Sequence, residues 1–260
     1  MNRTTKTTTK TTKTTNEIER AVRNNALWCE AMCRAHGRPG VFGPRAWTNA
    51  RRTPLYYPDA VTLTADATVG EVLAGIDRGT PYASVKDSYA TLDLEAEGFV
   101  PLFSAEWIHR PAERPAPAPT AAEWTEVRTA EGLAAWEAAW RGDDEDAAGL
   151  FRAELLADPT TTVLAGRDAA SGRVVAGAVL TEGAGVVGVS NLFATDATDG
   201  TDATGEAGVA EAWAGALTAA AARWPALPVV GYEHGDALTA AVAAGFTATA
   251  PLRVWLAPAA

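Results

Sequence analysis

Tyr232, Glu233 and His234 follow one another at the end of an apolar run that begins at Leu227. A carboxylate or an imidazole at the carboxyl end of a buried strand stands where α/β sheets place their ligands, so either could take a proton from a substrate as a general base. The alternative is that Asp236 caps the helix that follows, and that Glu233 and His234 are solvated loop residues. Two other groups of side chains carry chemical potential. Cys29, Cys33 and His36 fall at i, i+4 and i+7 of one helical face, which is the donor type and spacing of a zinc site. A fourth ligand is missing from the neighbourhood, and His109 and His234 are far away in sequence, so two reduced thiols packed in a half-buried helix are expected, with no metal. Arg45, Arg51 and Arg52 form the strongest cationic cluster beyond the first 16 residues. They could meet a phosphate or offset an acidic surface, and the second reading is preferred.

The elements that must hold Glu233 and His234 are legible from Leu227 to Leu256. Leu227 to Tyr232 is short, apolar and bounded by Pro225 and Gly235, as a strand buried on both faces would be. Ala237 to Ala244 is rich in helix formers, and Gly245 stands where a helix stops on a left-handed residue. From Phe246 onward β-branched residues return and a second strand is expected. The result is strand, short helix, Gly-Phe stop, strand. A related unit occurs earlier: residues 90–111 and 237–258 share the Gly-Phe stop, a Trp-Ile or Trp-Leu pair eight or nine positions after the Phe, and a closing Pro. An internal duplication follows.

Composition bounds the rest. The 260 residues are 47% hydrophobic, enough for a sizeable core, and carry a formal net charge of −10. Residues 1–16, a Thr/Lys stretch expected to be disordered, hold four positive charges and no negative one, which leaves −14 on the remainder. Such a body repels nucleic acid and anionic membranes and attracts cations. No apolar run reaches the length of a membrane span and no signal-peptide core is seen, so a cytoplasmic protein is expected. Abundant alanine, and arginine in place of lysine after Lys86, point to a GC-rich bacterial genome. The domain reading is a tail (1–16), an N-terminal domain (17–110), a Pro/Ala linker (111–123) and a C-terminal domain (124–260).

Along the N-terminal domain the expected elements are a helix capped by Asn16 and ending at Gly37, and an ordered aromatic loop from Val41 to Tyr57. A strand at Val61 to Leu63, a helix at Val69 to Asp77 and a strand near Tyr82 to Val85 come next. A helix from about Ser88 to Ala96 and a strand from Val100 to His109 complete it. The C-terminal domain reads as a strand at Trp124 to Arg128, helices at Glu131 to Arg141 and Ala147 to Ala157, and strands at Thr161 to Gly166, Arg173 to Thr181 and Val186 to Ala194. A helix from about Val209 to Arg223 then leads into the strand–helix–strand end. Trp136, Trp140 and Trp213, at helical spacing, are expected in the core.

This β-α-α-β-β-β-α-β-α-β order, closed by Ala237, Gly245, Phe246 and the strand Pro251 to Leu256, resembles the GNAT superfamily of acyl-CoA-dependent N-acyltransferases. The fold class expected is a mixed α/β sheet of GNAT type, in tandem with an incomplete N-terminal copy that resembles the degenerate half of tandem GNAT proteins. The resemblance implies acetyl-CoA or another acyl-CoA as co-substrate, a primary amine of a small cationic molecule or a peptide as acceptor, and transfer without a metal. It implies that the fourth and fifth strands splay, with Asn191, Phe193 and Thr195 along the pantetheine path. It further implies that Gly205, Ala207 and Gly208 receive the pyrophosphate at a helix N-terminus. Asp202 stands where the family's loop has a cationic or amide residue, Ala241 where many members have a thiolate-protonating Tyr, and His234 where a CoA-contacting Asn occurs. Glu233 or His234 is then the candidate base. A catalytically inactive GNAT-like binding or scaffold protein is the alternative function.

Overall fold

The computed structural model describes residues 3–118, 121–195 and 206–259. The first half holds helix α1 (Arg3–Ala35), strands β1 (Val41–Phe42), β2 (Ala46–Thr48) and β3 (Ala60–Thr62), helix α2 (Val69–Leu73) and strands β4 (Ser84–Asp87) and β5 (Val100–Arg110). The second half holds β6 (Glu123–Glu126), α3 (Ala130–Arg141), β7 (Thr161–Arg167), β8 (Val174–Gly183), β9 (Val186–Ala194), α4 (Glu206–Arg223), β10 (Val229–Glu233), α5 (Gly235–Ala243) and β11 (Thr247–Leu256).

The eleven strands among the described residues join one sheet in the order β1-β2-β3-β4-β11-β5-β10-β9-β8-β7-β6. Its centre departs from a simple pair of abutting domains, because the closing strands of the two halves are exchanged. β5 lies between β11 and β10, and β11 between β4 and β5, all antiparallel. The two repeated segments thus pair with each other, from Thr247 opposite His109 to Leu256 opposite Val100. Gly98 (φ +85°) and Gly245 (φ +98°) turn the chain into these strands in the left-handed region that glycine alone enters without strain. Residues 111–123 join two halves that share hydrogen bonds and core.

Helix α1 buries Ala21, Val22, Ala26, Cys29, Met32 and Cys33 against the face of the sheet that α3 also covers through Leu133 and Trp136. The opposite face is covered by Trp213, Ala216, Leu217 and Ala220 of α4 and by Ala241 of α5. Asn24 fixes α1 to the second half, donating from Nδ2 to the carbonyls of Thr181 (2.8 Å) and Gly183 (3.2 Å). Trp136 and Trp213 are fully buried, on opposite faces of the sheet, and Trp140 packs beside Trp136 as a partly buried ring, in line with the expectation that all three serve the core. The helix starts at Arg3 instead of at an Asn16 cap. Once its C-terminal part is packed, each added residue gains a hydrogen bond without a new nucleus.

Three further expectations are corrected. The helix at Ser88 to Ala96 is a single 3₁₀ turn at Glu95–Glu97. Ala90 stands at φ +52°, outside the helical region, and the Asp87 carboxylate takes the amide of Leu92 (2.8 Å), which a helix would give to the Ser88 carbonyl. The second helix of the C-terminal half is two 3₁₀ turns, Glu145–Ala147 and Ala153–Ala157. Gly149 (φ +77°) separates them, and the Glu137 carboxylate takes the amides of Gly149 (2.9 Å) and Phe151 (2.6 Å). Finally, His234 and not Asp236 occupies the N-cap position of α5, with no side-chain capping bond, and Asp236 sits in the first turn. No helix among the described residues is long and apolar enough to cross a membrane.

Candidate active site

The parallel pair β9 and β10 is bonded only at Val229 opposite Val187 and Val230 opposite Gly188, although β9 continues to Ala194 and β10 to Glu233. The cause lies in β9. Phe193 faces Gly177 and Ser190 faces Val179, so Asn191 and Leu192 together oppose the single residue Ala178. Asn191 adopts φ +51°, a conformation Asn tolerates better than most side chains. A bulge of this kind bends and twists the strand that carries it, and here it turns β9 away from β10.

The gap is a cavity of about 290 Å³. β9 contributes Val189 to Leu192 and β10 contributes Tyr232 and Glu233, while α1, β4 and the loop before β3 bring Asn25, Cys29, Lys86 and Tyr57 from the other half. Glu233 is half-buried, and burial alone lifts its carboxyl to about 7. A carboxylate poised there accepts a proton near neutral pH. Tyr57 is buried with its hydroxyl 3.4 Å from Asn191 Oδ1, and desolvation pushes its pKa well above the ordinary phenol value, which keeps it a donor. Lys86 is 3% exposed; its Nζ donates to Asn25 Oδ1 (2.8 Å) and Tyr232 Oη (3.1 Å) and lies 4.2 Å from the Tyr232 ring centroid. Burial also raises the Cys29 thiol, so it is a packing residue and not a thiolate nucleophile.

The residues anticipated from sequence divide. Glu233 and Asn191 line the cavity. His234, the alternative candidate base, does not; it is exposed and stacks on Phe103 at 5.3 Å. The Phe193 side chain faces the core, packed over Gly177 and edge-on to Trp136 at 5.3 Å, which leaves only its backbone to meet a ligand. The Thr195 amide is bonded back to Val175 O at 2.8 Å. Ala207 and Gly208 lie in the first turn of α4, and a Cβ on Gly208 would stand 3.2 Å from Ala194 Cβ, so this helix N-terminus abuts the end of β9. Gly205 and Asp202 lie outside the described residues. Ala241 is fully buried in the core cluster beneath α4 and supplies no acid. Among the described residues no group of three His, Cys, Asp or Glu could hold a metal, and His36 Nε2 is engaged by Leu150 O at 2.8 Å. Arg45 pairs with Asp66 and Glu71 and Arg52 with Asp59, so these two are neutralised by carboxylates.

Lys86, Tyr57 and Asn25 escaped the sequence reading because they lie more than 100 positions from Asn191. One signal was present: Lys86 is the only lysine after Lys13, in a chain that otherwise uses arginine.

A mixed sheet with two neighbouring parallel strands parted by a bulge, and a helix N-terminus beside the gap, is the fold of the GCN5-related N-acetyltransferases, and this chain has it. It superposes on a GCN5-related N-acetyltransferase from Kribbella flavida with a TM-score of 0.61 at 15% identity, over 92% of this chain and 96% of that one. A GNAT-family protein from Novosphingobium aromaticivorans gives 0.55 at 14% identity, over 88% and 96%. A conserved protein of unknown function from Staphylococcus epidermidis gives 0.50 at 9% identity, over 68% and 72%. No family model and no curated protein matches the sequence.

Proposed function

We propose that the chain is an N-acyltransferase that moves an acetyl or other acyl group from acyl-CoA to a primary amine. The observation that carries this reading is the parting of β9 from β10 after two residue pairs, which leaves an unpaired strand edge beside a half-buried carboxyl. The gap suits a pantetheine arm, since main-chain groups of β9 beyond Gly188 are free of β10, and the first turn of α4 offers amides to a pyrophosphate. When bound, acyl-CoA supplies a thioester carbonyl for the amine to attack. Glu233, once ionised, takes the ammonium proton of the acceptor directly or through water. The β9 edge polarises the carbonyl oxygen; a tyrosine hydroxyl in the gap gives a proton to sulfur as the C–S bond breaks and regains one from the nitrogen of the tetrahedral adduct, which carries a proton that the amide does not keep. Products are an N-acyl amine and free thiol.

The acidic surface attracts the ammonium end of any protonated amine, and a cationic acceptor most strongly. The opposing reading, an inactive GNAT-like binding or scaffold protein, is favoured by one feature. From Trp124 onward there are eighteen Asp and Glu against seven Arg and no Lys, an unfavourable field for a diphosphate. Calorimetric titration of the full chain with acetyl-CoA separates the two. Saturable heat in the micromolar range supports the enzyme, whereas no heat and no thermal shift at millimolar ligand supports the scaffold.

A further inference from the structure

On the same face of the sheet a second cavity of about 680 Å³ adjoins the gap and shares Tyr56, Tyr57, Pro58, Lys86 and Tyr232 with it as walls. Its floor is the exchanged centre of the sheet: Lys86 of β4, Phe103 of β5 and Val254 and Leu256 of β11. Its mouth carries Leu55, Tyr56, Tyr82 and Leu102, four of the seven exposed large hydrophobic residues among those described, at 44–61% exposure. Tyr56 and Tyr82 adopt φ +67° and +64°, costly for bulky side chains, so their two loops are held against local preference at this mouth. Exposed apolar surface gathered around a concavity of ligand size marks a binding site more than a packing defect.

The polar groups are as selective as the apolar ones. Among the described residues no Asp or Glu lines the larger cavity. Of its two cations, Arg52 is engaged by Asp59 and by Thr80 O at 2.7 Å. Lys86 has no carboxylate within ion-pair distance among the described residues, and its two acceptors are neutral. An ammonium has three N–H donors, and these partners use two. Burial is the only cause acting on the Glu233 carboxyl, so the charge of Lys86 is not spent there. A buried cation whose hydrogen-bond acceptors are neutral, on the wall between the two cavities, favours an anionic group beside it.

We infer that the larger cavity seats the acceptor, and that the acceptor is an amine bearing a carboxylate and an apolar body of aromatic or branched aliphatic size, as in an apolar amino acid. The amine lies in the gap near Glu233, the carboxylate meets the unspent donor of Lys86, and the body fills the chamber. A polyamine would face Lys86 with no carboxylate to receive it. This inference rests on the acyl-transfer reading for the chemistry, but not for the binding.

The experiment uses the full chain with L-phenylalanine, L-tryptophan, L-leucine, 2-phenylethylamine and spermidine, each titrated calorimetrically and assayed with acetyl-CoA for thiol release. At least one amino acid is expected to bind and to react with a kcat/KM ten-fold or more above that of 2-phenylethylamine, and further above that of spermidine. Lys86→Met should close the gap between the amino acid and 2-phenylethylamine, and Leu102→Arg should weaken both while leaving acetyl-CoA affinity unchanged. Preference for spermidine, or equal losses for both amines in Lys86→Met, would overturn the assignment. If acetyl-CoA binds and none of the amino acids binds at millimolar concentration, the acceptor inference falls and acyl transfer stands. If acetyl-CoA does not bind, acyl transfer falls and the amino-acid titrations alone decide the chamber.

Discussion

Replacing Glu233 by Gln should make the protein more stable at pH 8 while removing its proton acceptor. Burial holds this carboxyl at about 7 against an ordinary 4.5, so the folded state keeps a proton that the unfolded chain releases as pH rises from about 4.5 to about 7. Stability therefore falls across that window and stays lower above it. Ionising the group in place costs about 3 kcal/mol if fully effective, and about 2 kcal/mol once the water left around a half-buried side chain is allowed for. Glutamine fills the same volume without ionising. For a chain of this size, Glu233→Gln should thus raise Tm by roughly 4–8 °C at pH 8 and by almost nothing at pH 4.5. Paired melting curves at the two pH values measure it. An equal change at both, or a variant that melts lower at pH 8, would refute the claim that desolvation dominates at this site.

The same carboxyl governs rate. If Glu233 is the base, log kcat/KM should climb with pH up to about 7, and Glu233→Gln should lose most activity together with that inflection, leaving only the acceptor amine's own titration. Asn191→Val should destabilise by about 1–2 kcal/mol because a β-branched residue resists φ +51°, and acetyl-CoA affinity should drop, whereas Asn191→Gly should keep both. Gly177→Ala would drive a methyl into Trp136 and Phe193, costing about 1–3 kcal/mol in denaturant unfolding. Asn24→Leu, which strips the Thr181 and Gly183 carbonyls of their donor, should cost about 1–3 kcal/mol and loosen α1 from the second half, seen as faster amide exchange in β8.

What sequence alone determined about this protein is local. The apolar run at Leu227, the glycine stops at Gly98 and Gly245 and the β-branched residues after Phe246 depend on neighbours within a few residues, and the strands formed where those cues placed them, although the helix expected before Gly98 is one 3₁₀ turn. The repeat of 90–111 in 237–258 was visible for the same reason. Local cues failed where a distant or competing group intervened, as when Glu137 took the amides of Gly149 and Phe151, or Asp87 that of Leu92. Tertiary structure decided which strands pair, and therefore the exchange that puts β5 beside β10 and β11 beside β4. It also decided that Glu233 faces the gap while its neighbour His234 stacks outside on Phe103, since which side of a sheet a residue serves follows from register. Above all it brought Lys86 and Tyr57 to the parted strands, because contacts between residues so far apart are set by packing of the whole sheet and leave no periodicity in the chain to read.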